Sequence, residues 1–260
     1  MLTIIAAPTS QDFANPRLSE KYTQPQFLKQ SEQLVHYCRQ LSVKQLEELM
    51  HISPHLAELN QQRFQDWHTP FTPGNALQAI FAYSGDIYTS LKVSDLSLHE
   101  LDYMQTAVCI LSGLYGILRP LDLIQPYRLS MNVRLENPKG INLYHFWHET
   151  LTSHLNQIET ETIIDLAFDN YFKAIDKDKL KAQVIKPVFL DEKAGKYMNV
   201  NAYAKEAMGL MTRFIVCNKL HSPKMLHEFN EHGYQFAAHE SSEDELVFKR
   251  SEKTAQQYRN

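Results

Sequence analysis

Two arginines and two glycines in one short run pose the chemical question in this chain. Residues 111–131 read LSGLYGILRPLDLIQPYRLSM and hold two of the chain's eight glycines and two of its eleven prolines. Gly113 and Gly116 allow a backbone to turn sharply or to approach another group with no Cβ between them. Pro120 and Pro126 fix φ and remove two donors. The leucines and isoleucines of the run predict burial, so Arg119 and Arg128 stand on a stiff support. Two readings of them are open. Either they tie a packed crossover together, since buried arginine is usually paired, or two guanidiniums and glycine-freed amides face phosphate. With Tyr115 and Asp122 close by, the second reading also admits an enzyme acting on a nucleotide or other phosphorylated small molecule through residues 112–128.

A second stretch, residues 41–67, reads LSVKQLEELMHISPHLAELNQQRFQDW. Ser42 predicts a cap for one short helix, and Ser53 with Pro54 predicts cap and first position of the next. Only His51 and Ile52 separate them. So tight a pair is either an ordinary helical corner or a helix-hairpin-helix unit, about residues 42–67, gripping a DNA backbone through amides at a helix start. In that case Ile52, Ser53 and His55 meet the backbone, although the glycines usual in such a hairpin are missing. His51 and His55 stand four apart, but with no Glu between them and no third ligand no metal site is assigned, and no cofactor is expected.

Lys173, Lys177, Lys179, Lys181 and Lys186 crowd one part of the chain, as a solvated face or a local basic surface. Lys196, Lys205 and Arg213 follow on a hairpin and a late helix, completing the set that can line a phosphate-binding cleft. The net charge of −4 offers no global attraction to nucleic acid. The chain has no GxSxG elbow, Walker loop, GxGxxG or HExxH. No spacing brings Asp86, Asp122, Asp165 and Asp169 together, so nothing demands an enzyme. Cys38, Cys109 and Cys217 are widely spaced with no CxxC, as expected of reduced thiols in a cytosolic protein. No run approaches the ~20 apolar residues of a membrane span. The N-terminus lacks a basic region and reads as a buried strand, not a signal peptide.

To position these groups the sequence predicts a strand at Leu2–Ala6, a polar irregular stretch through Gln24 with Pro8 and Pro16, and a helix from Gln26 to Leu41. After the helical pair come a helix from Thr72 to Tyr83, a turn at Ser84-Gly85-Asp86, an extended Ile87–Val93 and a helix from Leu98 to Ser112. Then follow a strand from Tyr127 to Val133, a turn at Asn137–Gly140, a helix from Leu143 to Ile158 and a strand from Glu161 to Ala167. A hairpin at 181–200, a helix from Ala202 to Leu220 and strands at Tyr234–Ala238 and Glu245–Lys249 close the order. The expected class is mixed α/β (α+β): one domain over residues 1–250 with a central mixed sheet surrounded by helices. A mobile polar tail is expected over 251–260.

LSGLYGILRPLDLIQPYRLSM, with SGDIYTSL before it and YFKAI, IKPVFLDEKAGKY and ELVFKR after it, resembles the peroxide-stress protein YaaA family of bacteria. The resemblance runs from MLTII to about Arg250 and keeps the motif order. It implies a cytoplasmic protein of the hydrogen peroxide response that limits unincorporated intracellular iron and protects DNA. It also implies DNA binding through a helix-hairpin-helix unit and a positively charged cleft, in a fold particular to the family. The expected partner is therefore double-stranded or branched DNA bound through phosphates without sequence specificity, with no obligate protein partner and a monomeric state. Two positions depart from the family pattern. Thr9 stands where it has a lysine, and Met208 where its Ala-Arg-Gly has an arginine.

Overall fold

Three strands with nearly continuous apolar runs, LTIIA, VCILS and TIIDL, form the centre of the molecule, and apolarity on both faces is what a buried parallel sheet requires. The computed structural model describes residues 1–14, 19–159 and 161–258; Pro16 and the last two residues of the tail lie outside them. In chain order the sheet strands are β1 (Leu2–Ala6), β2 (Val108–Ser112), β3 (Gly116–Leu118), β4 (Thr162–Leu166), β5 (Gln183–Lys193), β6 (Lys196–Met198), β7 (Gln235–Phe236) and β8 (Glu245–Arg250). Their spatial order is β7-β8-β5-β4-β1-β2-β3, with β6 folded back on β5. The pairs β8/β5, β5/β4, β4/β1 and β1/β2 are parallel. β3, β6 and β7 add antiparallel. The protein is thus a single mixed α/β domain around a mixed sheet, as its sequence predicts.

The helices are α1 (Leu28–Arg39), α2 (Val43–Met50), α3 (Pro54–Asp66), α4 (Asp86–Leu91), α5 (Leu98–Ala107), α6 (Leu143–Ile158), α7 (Asn201–Cys217) and α8 (Glu252–Gln257), with single turns at Ala79–Ala82 and Asp169–Phe172. Ser42 and Gln45 form a reciprocal capping box on α2, and the Ser53 hydroxyl accepts from the Leu56 amide at the head of α3. The other end of α3 is held by Arg39, whose guanidinium donates to the carbonyls of Phe64, Gln65 and Trp67. A Cβ on Gly209 would lie 2.1 Å from Ser90 Oγ and 2.2 Å from the Ile87 carbonyl, so the contact of α7 with α4 requires glycine.

Four predicted elements differ. The expected helix over Thr72–Tyr83 is only the Ala79–Ala82 turn. Leu77 and Gln78 instead pair antiparallel with Leu123 and Ile124, and the Gln78 side chain donates to the carbonyls of Ser19 and Lys21. Ile87–Val93 is mostly α4 and not extended, because Ile87, Tyr88 and Leu91 are spaced to bury one helical face. The helix expected to reach Ser112 stops at Ala107, where β2 begins. A short apolar run such as VCILS fits a buried helix or a buried strand equally well by periodicity. Tyr127–Val133 alternates like a strand, with Leu129, Met131, Val133 and Leu135 buried, but it has no ladder partner.

Where the tail was expected to be mobile, Ser251 caps α8, and Ala255 is buried. The strand before it ends in a desolvated ion pair. Arg250 Nε donates to Asp191 Oδ1 at 2.7 Å with side chains 3% and 1% exposed, and Tyr234 Oη donates to Asp191 Oδ2 at 2.7 Å. Removing one partner leaves a buried charge uncompensated. Arg250→Met should therefore lower unfolding free energy by about 3–5 kcal/mol, checked by urea denaturation.

Candidate functional site

The 111–131 run is built around its two glycines. A Cβ on Gly113 would fall 2.2 Å from the Leu129 carbonyl oxygen, and one on Gly116, at φ +71°, would fall 2.8 Å from the Trp147 ring. Trp147 Nε1 donates to the Gly113 carbonyl at 2.9 Å. Both glycines are buried, so their backbone is occupied by packing. Beside them, at the end of β2, Ser112 Oγ and Tyr83 Oη each lie 2.7 Å from Tyr127 Oη. Tyr88 Oη donates to the Ala6 carbonyl at the end of β1. Burial raises the Tyr83, Tyr88 and Tyr127 phenols well above their ordinary value. The order of strands reverses between β1 and β4, where open α/β sheets usually leave a ligand crevice. The buried tyrosines lie on the other flank, beside β1 and β2.

Arg119 is a structural tie in this arrangement. Its Nη1 donates to the Thr106 carbonyl at 3.1 Å, and its amide donates to Asp122 Oδ2 at 2.7 Å. Arg213 Nη1 likewise donates to the Leu91 and Lys92 carbonyls and so closes the end of α4. Lys173 is exposed over the Tyr144 ring at 5.6 Å, and Lys196 is exposed on β6.

Arg128 is placed differently. It lines a cleft of about 1030 Å³ together with Arg134, Asn132 and Ser130 on one wall and His51, Met50 and Gln45 on the other. Glu48 and Glu136 also line it. The structure thereby brings the Arg128 end of the glycine run to the turn between α2 and α3, two features far apart in sequence. Among the described residues no carboxylate lies within 4.0 Å of Arg63, Arg128 or Arg134. Burial, and then the like charge of Arg128, hold the Arg63 guanidinium below its usual range. A guanidinium with no carboxylate at ion-pair distance is a group that an anion can engage.

The turn itself uses part of its backbone internally. His51 sits in the left-handed region at φ 52°, and the amides of His51 and Ile52 both donate to the Glu47 carbonyl. Ile52 is half-buried against the core, Ser53 is occupied in capping, Pro54 has no amide hydrogen, and His55 is exposed. Of this turn it is His51 that faces the cleft.

Sequence reasoning missed Arg134. It was legible: Leu129, Met131, Val133 and Leu135 are buried, and the alternate residues 128, 130, 132, 134 and 136 line the cleft, so the alternation noted from Tyr127 continues two residues further.

Lys205 lines a separate cleft of about 410 Å³, with Lys186, Phe168, Asn199, Asn201 and Met208 among its walls. Near it Asp165 is buried and accepts from the Ala167 amide at 3.0 Å. Burial pushes the Asp165 carboxyl up to about 6, against the pull of Lys186 and Lys177. Thr9, the other departure from the family pattern, is half-buried just beyond β1. Among the described residues no three His, Cys, Asp or Glu side chains form a group able to hold a metal ion, and no helix is long and apolar enough to cross a membrane.

The family model described as peroxide stress protein YaaA matches residues 1–240. The chain belongs to the peroxide stress protein YaaA family. The match takes in the 111–131 run and both clefts, and ends before β8 and α8.

Asp122, with Thr23 Oγ1 donating to Oδ1 at 2.6 Å, is also pushed up to about 6 by burial. A carboxyl raised on folding favours the native state below its unfolded pKa, and that contribution is lost as pH rises through the folded value. The variant carrying Asp122→Asn and Asp165→Asn should therefore gain stability relative to the parent between pH 4 and 7 and run parallel to it above. Urea denaturation at stepped pH reads this.

Proposed function

We propose that this member of the peroxide stress family binds DNA through backbone phosphates, without reading sequence, along the cleft between the α2–α3 turn and residues 128–136. The observation that carries the reading is Arg128 and Arg134 on one wall of the cleft opposite His51, with no carboxylate within 4.0 Å of either among the described residues. A guanidinium offers phosphate a bidentate fork, and Arg128 and Arg134 present two of them on the same wall. In this reading the α2–α3 pair acts as the helix-hairpin-helix unit, with His51 toward the cleft and Ile52, Ser53 and His55 following it at the head of α3. Glu48 and Glu136 at the same cleft moderate affinity, as befits a binder that slides or exchanges. In the cytoplasm such a protein would shield DNA during peroxide stress while free iron is limited, and it would work as a monomer.

Of the candidates on the glycine run, Arg128 is the one this function uses. Gly113, Gly116 and Arg119 support it from the packed side of the run. An enzyme working through residues 112–128 finds less support, because the glycine backbone that would cradle a substrate is covered by Leu129 and Trp147.

Fluorescence anisotropy with labelled duplex and four-way-junction DNA tests the proposal at two salt concentrations. The logarithm of affinity should fall linearly with the logarithm of salt, with a slope of about −0.9 per phosphate neutralised. Arg128→Ala with Arg134→Ala should weaken binding equally across unrelated sequences and flatten the slope by about two phosphate equivalents. Binding that is absent at low salt, or indifferent to salt, would refute it.

A further inference from the structure

The 410 Å³ cleft bounded by residues 167–170, β5 and the start of α7 plays no part in the DNA reading. We propose that it is a second binding site, for the phosphate group of a small phosphorylated molecule.

Its position is the first reason. The residues after β4 form one wall, at the carboxyl end of a central parallel strand, where open α/β sheets take their ligands. Its volume falls in the range of small-molecule pockets, roughly 300–1,000 Å³.

Its cations are the second. Lys186 reaches it from β5 and Lys205 from α7, so two ammonium groups approach from different walls. Each has a carboxylate neighbour that water already solvates. Lys186 meets Asp169, whose side chain is 85% exposed, and Lys205 lies 3.9 Å from Asp86, whose side chain is 58% exposed. Exposed pairs of this kind contribute little and exchange partners readily. A phosphate entering the cleft would bridge the two lysines while Asp169 and Asp86 turn to solvent.

The neighbours of the lysines fit the same ligand. Asn199 and Asn201 supply amide donors at the mouth. The 17-residue α7 begins beside them at Val200, which has no side-chain oxygen to cap it, so the positive end of the helix adds to the field of the lysines. Phe168 and Met208 offer an apolar surface to the rest of the molecule, with Lys205 Nζ held 5.3 Å above the Phe168 ring.

Inorganic pyrophosphate is the probe. At constant ionic strength it should raise the melting temperature of the parent protein and give a saturable isotherm by calorimetry. Lys186→Ala with Lys205→Ala should weaken this binding by about tenfold or more, as charge-assisted bonds are lost. Arg128→Ala, in the other cleft, should leave it unchanged, so failure of the DNA reading and failure of this one are told apart. No binding by the parent at millimolar pyrophosphate, or equal binding by the double variant, overturns the proposal. Should the double variant not fold, amide shifts in the parent decide. Shifts centred on Asn170, Asn201 and Lys205 support the site, and shifts centred on Arg128 overturn it.

Discussion

A carbonyl can rest against another residue's Cα, as Leu129 rests against Gly113, only where no Cβ stands between them. That close approach locks residues 127–135 onto the β2–β3 turn without a strand ladder. Trp147 completes the lock by covering Gly116 and donating to the Gly113 carbonyl. With Leu129, Met131, Val133 and Leu135 pressed inward, the intervening side chains must face out. Arg128 and Arg134 are consequently presented on one wall by a segment that gains its rigidity from burial. The opposite wall is stiffened separately, by the capping box on α2 and by Arg39 gathering three carbonyls at the end of α3. Both sides of the cleft are therefore shaped before any ligand arrives, which lowers the ordering cost of binding.

The basic residues divide by what their surroundings ask of them. Arg119 and Arg213 are spent on backbone carbonyls near helix ends, a role a lysine could not fill with the same planar reach. Among the described residues Arg128 and Arg134 have no carboxylate within 4.0 Å, and Lys186 and Lys205 have only solvated ones. Residue type alone does not separate these roles; partners do.

Much of the architecture was legible because local and global signals agreed. Serine caps at 42, 53 and 97 mark helix starts, and the aromatic helix Leu143–Ile158 keeps its predicted limits. The errors fall where a local pattern was ambiguous or overridden. VCILS is equally a buried helix or a buried strand, and Leu77 and Gln78 abandon a helical pattern for a ladder with residues distant in sequence. The site was legible in halves. Arg128 and the α2–α3 turn each stood out by composition, but only the fold brings them together. Arg119 reaches the Thr106 carbonyl, a contact of the kind its structural reading expects. Gly113 and Gly116 matched the close-approach half of what their spacing allowed, with a protein backbone and an indole as the visitors.

The position of β1 at the middle of the sheet bears on how the chain assembles. Thr3 is aligned with Val108 on one side and with Ile164 on the other. β1, made before its two partners, must therefore wait until α6 and β4 have been made before both its flanks are covered. Contacts this distant in sequence carry a loop-closure cost that is repaid only late, which slows folding and leaves an apolar strand open meanwhile. Until β4 arrives, that open apolar edge is a surface for misassociation, and its exposure lasts as long as the intervening residues take to be made.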